Sequence, residues 1–323
     1  MVRESSGKAS PPDRAIRAAR KTGRRQADEI LAVRAEQLKQ REKAVRRRQK
    51  KAPRLLDARV VSPRLQALIG PPSTEVLVAE GDSWFDYPFH DVLGLLEDRY
   101  GYDIESVAHK GDRVEDMAYG GGQLEDFLRR IEKVLRRNVV PKAILLSGGG
   151  NDVAGSGFAM LLNHILSPSP GLNTQVLQGV VDERISLSYV TILEALATMC
   201  EAHIGRPLPV LVHGYDYPVP DGRGFLGGWG ILPGPWLEPG FRAKGYEDLQ
   251  ERISLMRRLM DRFNAMLQGV TALARFQHVH YVDLRNTLSS GRDYKKDWGN
   301  ELHPTRKGFQ MVADRFEETL QQL

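Results

Sequence analysis

At 323 residues, 41% hydrophobic and 27% charged, the chain has the length and composition of one large globular domain with added segments, which excludes a disordered or fibrous protein. The single cysteine, Cys200, cannot form an internal disulfide; no Cys/His cluster has zinc spacing, and no run of about 18 apolar residues predicts a transmembrane helix. The polar, basic start lacks the apolar stretch of a signal peptide, so the expected setting is cytoplasmic and reducing.

The formal net charge of +5 is unevenly spread: residues 1–54 carry 18 Lys and Arg against 6 Asp and Glu. Residues 1–54 therefore read as a basic extension, disordered over 1–25 and a solvated charged helix over 26–51. Leu31, Leu38 and Val45 are spaced by seven, but Arg34 and Arg41 sit in the same seam, and the run is too short for a coiled coil. Such a block of like charge suits an anionic surface or nucleic acid, although no aromatic is present to stack on a base.

The folded domain is expected over 63–323, starting near Pro63. Its first strand is Val76–Glu80, followed by Gly81-Asp82-Ser83-Trp84 and then by helical apolar spacing from Phe89 to Tyr100. A second strand is expected over Asp103–Ala108 and a helix over Gly122–Arg137. The third strand, Ala143–Ser147, runs into Gly148-Gly149-Gly150-Asn151-Asp152. A helix over Asp182–His203, a strand over Val210–His213, a helix over Tyr246–Leu273 and a strand over Val279–Asp283 follow. The last helix begins after Pro304 and ends near Leu320. Five short strands alternating with helices predict an α/β domain with a doubly wound parallel sheet.

Two insertions, 154–180 and 215–245, leave the C-terminal ends of strands, where α/β proteins place their sites. The second holds Tyr215, Tyr217, Trp229 and Trp236, which with Trp84 are candidate substrate-binding residues. Four polar positions also fall at that edge: Ser83, Gly111, Asn151 and His303. Acyl transfer needs a nucleophile, a base, and donors aimed at the developing oxyanion. A serine needs a base to become nucleophilic, and His303 has the right chemistry near neutral pH. Gly111 can bring a backbone N–H close, and Asn151 offers a side-chain amide.

Ser83 in GDSW, Gly111 after the second strand, Asn151 in GGND and His303 near the C-terminus resemble the four blocks of the SGNH hydrolases, the GDSL-type esterases and lipases. The resemblance covers about residues 74–320. It implies a flavodoxin-like, three-layer α/β/α fold, Ser83 as nucleophile and His303 as base. It also implies an oxyanion hole of the Ser83 and Gly111 N–H groups with the Asn151 amide. The substrate would be a small-molecule ester, an acyl lipid or an acylated sugar, cleaved without metal or cofactor. One departure bears on mechanism: the family usually has an aspartate three residues before the histidine, where this chain has Asn300. Asp297, six residues before His303, could orient the imidazole instead and is the preferred candidate; Asn300 or a backbone carbonyl is the other. The alternative to an esterase is a weak or inactive binding protein of the same fold, recruited to nucleic acid or an anionic membrane by residues 1–54.

Overall fold

The computed structural model describes residues 11–51, 75–225 and 233–323. The long helix α1 (Pro11–Lys51) precedes the domain. The chain then runs β1 (Val76–Glu80), α2 (Val92–Tyr100), β2 (Asp103–Ser106), α3 (Val114–Tyr119), α4 (Gln123–Leu135) and β3 (Ala143–Leu146). A short helix α5 (Gly150–Val153) leads to the small hairpin β4 (Leu162–Asn163) and β5 (Gly171–Leu172), then α6 (Thr174–Leu177) and α7 (Ser186–Ile204). β6 (Val210–His213), α8 (Glu238–Ala243), α9 (Leu249–Thr271), β7 (Val279–Val282) and α10 (Arg306–Leu320) complete it.

The main sheet has the order β2-β1-β3-β6-β7, and every pairing is parallel. The order reverses between β1 and β3, so a crevice opens beyond their C-terminal ends. β1 from Leu77 to Ala79 and all of β3 are apolar and buried, as strands covered on both faces must be, and β1 ends in the buried Glu80. α2 packs against α10, while α4, α7 and α9 form a second connected group, giving the two helical layers. The register places Glu80 opposite Leu146, which brings Gly81 and Ser147 level at the edge.

The strand expectations hold to within two residues at each end. Two helical expectations are corrected. α2 starts at Val92, because the Asp91 carboxylate accepts from the Gly94 N–H at 2.7 Å and caps it there. Phe89 lies outside the helix, exposed and at φ 74°, so its apolar spacing was coincidental. The expected helix at Asp182 is a π-helical turn over Gln178–Ile185 that continues into α7. The helical run Thr174–Ile204 is long and apolar enough to cross a membrane by length and composition, which the sequence reading did not register; 72% of its apolar window is buried, as befits a core helix.

Residues 11–25 correct the sequence reading more sharply. They are helical, and α1 lies along α7. Ala19, Gly23 and Ala27 recur every fourth residue and are buried in the contact. A Cβ on Gly23 would stand 2.2 Å from the Thr191 carbonyl oxygen, so only glycine lets the helices approach this closely. Around this seam, Glu194 of α7 is fully buried and takes Arg20 Nε at 2.9 Å, Arg24 Nη2 at 2.8 Å and Arg275 Nε at 3.3 Å. A buried carboxylate needs such partners to remain charged. Two basic residues of the stretch read as disordered, Arg20 and Arg24, thus serve to dock the helix. Leu31 packs against the core, while the side chains of Leu38 and Val45, and the expected boundary at Pro63, lie outside the described residues.

Gly23→Val should therefore cost about 1–3 kcal/mol of docking by overpacking. Trypsin should then cut within residues 14–25 about tenfold faster or more than in the parent. Unchanged cleavage would mean that this contact does not hold α1.

Candidate active site

Ser83 stands on a turn that the sequence can make in few ways. A Cβ at Gly81 would lie 2.7 Å from the Ser147 Cβ and 2.9 Å from the Phe85 ring, so the chain can leave β1 here only as glycine. The Phe85 and Asp86 N–H groups donate to the Asp82 carbonyl at 3.0 and 3.1 Å and close the turn. The buried Asp82 carboxylate accepts from the Trp84 N–H at 3.0 Å, from the Ser147 hydroxyl at 2.8 Å and from the Tyr215 hydroxyl. Asp82 thus ties the turn to the ends of β3 and β6, and Ser83 stays half-buried at its crest.

The Ser83 Oγ lies 2.7 Å from His303 Nε2. His303 belongs to a tight loop before α10, closed by Gly299 N–H to the His303 carbonyl at 2.9 Å and anchored by Thr305, which caps α10. Inside that loop Asn300 Oδ1 accepts from the backbone N–H of Leu302 and of His303, both at 2.9 Å, and faces His303 Nδ1 at 3.1 Å. Asn300 Nδ2 donates to the Tyr87 hydroxyl at 3.1 Å. These bonds fix which end of the amide is oxygen. An acceptor opposite Nδ1 places the imidazole proton there and leaves the Nε2 lone pair facing Ser83.

Asp297, the preferred orienter in the sequence reading, does not reach His303. Its carboxylate accepts from the Ser289 N–H at 3.0 Å and from Lys307 Nζ at 2.8 Å. Burial alone would raise this carboxyl, but Lys307 and the Ser289 N–H together hold it below its ordinary value. The loop does bend back, through Thr305 N–H to the Asp297 carbonyl at 2.7 Å, yet it delivers the backbone of Asp297 and not its side chain. Of the two candidates, Asn300 is the one whose side chain meets the His303 ring.

His303 is only 6% exposed. Tyr87 stacks on it with ring centroids 4.2 Å apart, and Trp236 meets it edge-on at 5.6 Å. Burial, with no carboxylate opposite, pushes the imidazole down to about 3. It is therefore neutral, and able to accept a proton, throughout the neutral range.

The loop of Gly111 is held from three sides. His109 N–H donates to the Gly81 carbonyl at 2.8 Å, Lys110 N–H to the Asp86 carboxylate at 3.0 Å, and the Asp112 carbonyl accepts from Asn151 Nδ2 at 2.9 Å. Gly111 itself is left-handed, at φ 92°. Asp152 accepts from the Val114 N–H at 2.9 Å and caps α3, so Asn151 and Asp152 together brace this loop. Asn151 donates one amide hydrogen to the Asp112 carbonyl and has a second to offer. A cavity in the crevice is walled by Ser83, Asn151 and His303; Gly111 is not part of its wall.

The aromatic candidates divide. Trp84 and Tyr215 line the cavity, although the Tyr215 hydroxyl is engaged by Asp82 and the Trp84 indole N–H donates to the Leu302 carbonyl at 3.1 Å. Trp236 acts on the site through its contact with His303. Tyr217 does not line the cavity: its hydroxyl donates to Asp261 at 2.7 Å and Arg257 covers its ring, so that assignment is corrected to a structural role. Trp229 lies outside the described residues.

The sequence reading missed two groups. Glu301, fully buried, accepts from the N–H groups of Gly222, Trp236, Leu237 and Glu238 at 2.7–3.0 Å and stitches the 215–245 insertion to the His303 loop. Its place between Asn300 and His303 was the available signal. The second is a Ser–His–Asp cluster: Ser147 Oγ lies 2.7 Å from His213 Nε2 and donates to Asp82. Here the serine bridges histidine and aspartate, whereas in an acyl-transfer triad the histidine bridges. Ser147 and His213 are fully buried and do not line the cavity. They anchor Asp82, and through it the turn of Ser83. Among the described residues no group of three or more His, Cys, Asp or Glu could hold a metal ion.

The sequence profile of the GDSL-like lipase/acylhydrolase family matches residues 70–311. The chain belongs to this family, the SGNH hydrolases. No curated protein sequence matches it. Among solved structures it is similar to a catalytic mutant of an acetylxylan esterase from Geobacillus stearothermophilus, at 15% identity and a TM-score of 0.40, covering 77% of this chain and 94% of that one. A putative SGNH hydrolase from Slackia heliotrinireducens matches at 11% identity and a TM-score of 0.44, covering 76% and 98%. A carbohydrate esterase family 3 protein from Talaromyces cellulolyticus matches at 14% identity and a TM-score of 0.41, covering 77% and 97%.

Two outcomes follow for hydrolysis of a small chromogenic ester. Asn300→Ala should lower kcat by about 100-fold or more, because Nδ1 loses the acceptor that sets its tautomer, while Asp297→Asn should stay within about threefold of the parent. The reverse ranking would return the orienting role to Asp297. The acid limb of kcat/KM should lie below about pH 5, since the folded chain protonates His303 near 3 rather than at the ordinary 6.5. The unfolded chain takes that proton near 6.5 and the folded chain only near 3, so the fold loses stability as pH falls between the two. A limb at 6.5 would mean that the imidazole is not desolvated.

Proposed function

From membership of the family, we propose that this protein is a serine hydrolase that cleaves carboxylic esters through a covalent acyl-enzyme on Ser83. The observation that carries the reading is the 2.7 Å contact between Ser83 Oγ and a neutral, tautomer-fixed His303. As Oγ attacks the ester carbonyl, Nε2 takes the hydroxyl proton, and Nδ1–H remains on Asn300 Oδ1. The tetrahedral oxyanion is received by the Ser83 N–H and an Asn151 amide hydrogen, both at the cavity wall, which Gly111 does not line. The carbon–oxygen bond to the alcohol then breaks, and Nε2 returns its proton to the departing oxygen. Water repeats the sequence: it loses a proton to Nε2, attacks the acyl carbon, and releases the acid and Ser83.

Asn300 gives the developing imidazolium a neutral acceptor where a carboxylate would give a charge. This costs electrostatic stabilisation but preserves geometry. The missing aspartate favoured an inactive binding protein; the 3.1 Å approach of Asn300 Oδ1 to His303 Nδ1 supports the hydrolase reading instead.

A fluorophosphonate probe tests it. The parent should be labelled, the labelled peptide should contain Ser83 and not Ser147, and both Ser83→Ala and His303→Ala should abolish labelling. Asn151→Ala should lower ester turnover by about 10²–10³ while leaving the protein folded. No labelling of the folded parent, or a label on Ser147, would overturn the proposal.

A further inference from the structure

The cavity at Ser83 is small and partly enclosed. It offers about 40 Å³ of interior space. One water needs about 10–15 Å³ on this measure, so the cavity holds about three water-sized groups. Besides Ser83, Asn151, His303 and the carboxylates Asp82 and Asp216, the wall is mainly apolar and includes Val153, Leu237 and Leu302 with Met256 and Met260 of α9. Met256 and Met260 are 2% and 4% exposed, so their side chains are packed into the wall.

An acyl-enzyme has two sides with different needs. The alcohol must leave and water must take its place, so that side must be open. The acyl group stays fixed through both halves of the reaction and can occupy the enclosed, apolar side. On the hydrolase reading above, we propose that this site accepts short acyl groups, acetyl to butyryl, and that Met256 and Met260 set the limit. A longer chain would have to displace close-packed side chains, which is penalised by overpacking. The same geometry leaves the alcohol half largely unrestricted.

The test is a chain-length series of p-nitrophenyl acetate, butyrate, octanoate and palmitate on the full chain, with Ser83→Ala as the blank. kcat/KM should be highest for acetate or butyrate and at least about 30-fold lower for octanoate. In Met256→Ala, and separately in Met260→Ala, the octanoate-to-acetate ratio should rise about tenfold. Neither variant removes a group that touches the reacting atoms, and the parent series decides the length limit if neither folds. A set of acetyl esters with progressively larger alcohols should vary by less than about tenfold. Ser83-dependent hydrolysis that peaks at octanoate or palmitate would overturn the short-acyl assignment and leave the hydrolase reading intact. So would tolerance of long acyl chains with refusal of bulky alcohols, which would exchange the two sides. Absence of hydrolysis of every ester, together with absence of fluorophosphonate labelling, would remove the hydrolase reading and this assignment with it.

Discussion

The site depends on one buried carboxylate. Asp82 follows β1 and is almost wholly removed from water, which is tolerable only because every direction around it supplies a donor. The Trp84 N–H comes from its own turn, the Ser147 hydroxyl from the end of β3, and the Tyr215 hydroxyl from the segment after β6. These three donors arrive from three adjacent elements of the sheet edge. Satisfying Asp82 therefore fixes how those elements end, and Ser83 inherits its position from that solution.

The same device recurs around the crevice. Asp152 caps α3 and braces the Gly111 loop. Asp216 accepts from the N–H groups of Tyr217 and Asn286 and joins the segment after β6 to the one after β7. Glu301 gathers four N–H groups of the 215–245 insertion. Loops that leave strand ends carry many backbone donors without a ladder partner, and a buried acceptor that collects several of them is an economical way to order long irregular chain. The insertion is in this sense a wall bound to the His303 loop. A rigid wall is also what a small cavity requires.

Electrostatics at His303 run differently. The imidazole is held by a neutral amide, stacked by Tyr87 and edged by Trp236, so desolvation dominates its chemistry. A carboxylate at position 300 would raise the imidazole pKa and stabilise the imidazolium; asparagine does neither, but it sets the tautomer, because two backbone N–H groups pin its oxygen. Geometry and charge, supplied together by the usual aspartate, are here separated.

The sequence alone determined the strands, their alternation with helices and the four polar blocks, because these are written in local periodicity and in short motifs such as Gly81-Asp82-Ser83 and Asn151-Asp152. It did not determine which side chain orients His303. Asn300 and Asp297 both lie within one turn-length of it, and the choice depends on how the loop closes and on Lys307 drawing Asp297 away. Nor did it determine that α1 docks. Ala19, Gly23 and Ala27 leave no hydrophobic signal, and their partner Thr191 and the buried Glu194 lie about 170 residues away. Tyr217 read as substrate-facing because aromatic composition carries no direction, and Asp261 and Arg257 of α9 decided where it points. Periodicity and motifs are properties of neighbours in the chain, whereas an acceptor's partner, a side chain's direction and the depth of a cavity are set by residues that only folding brings together.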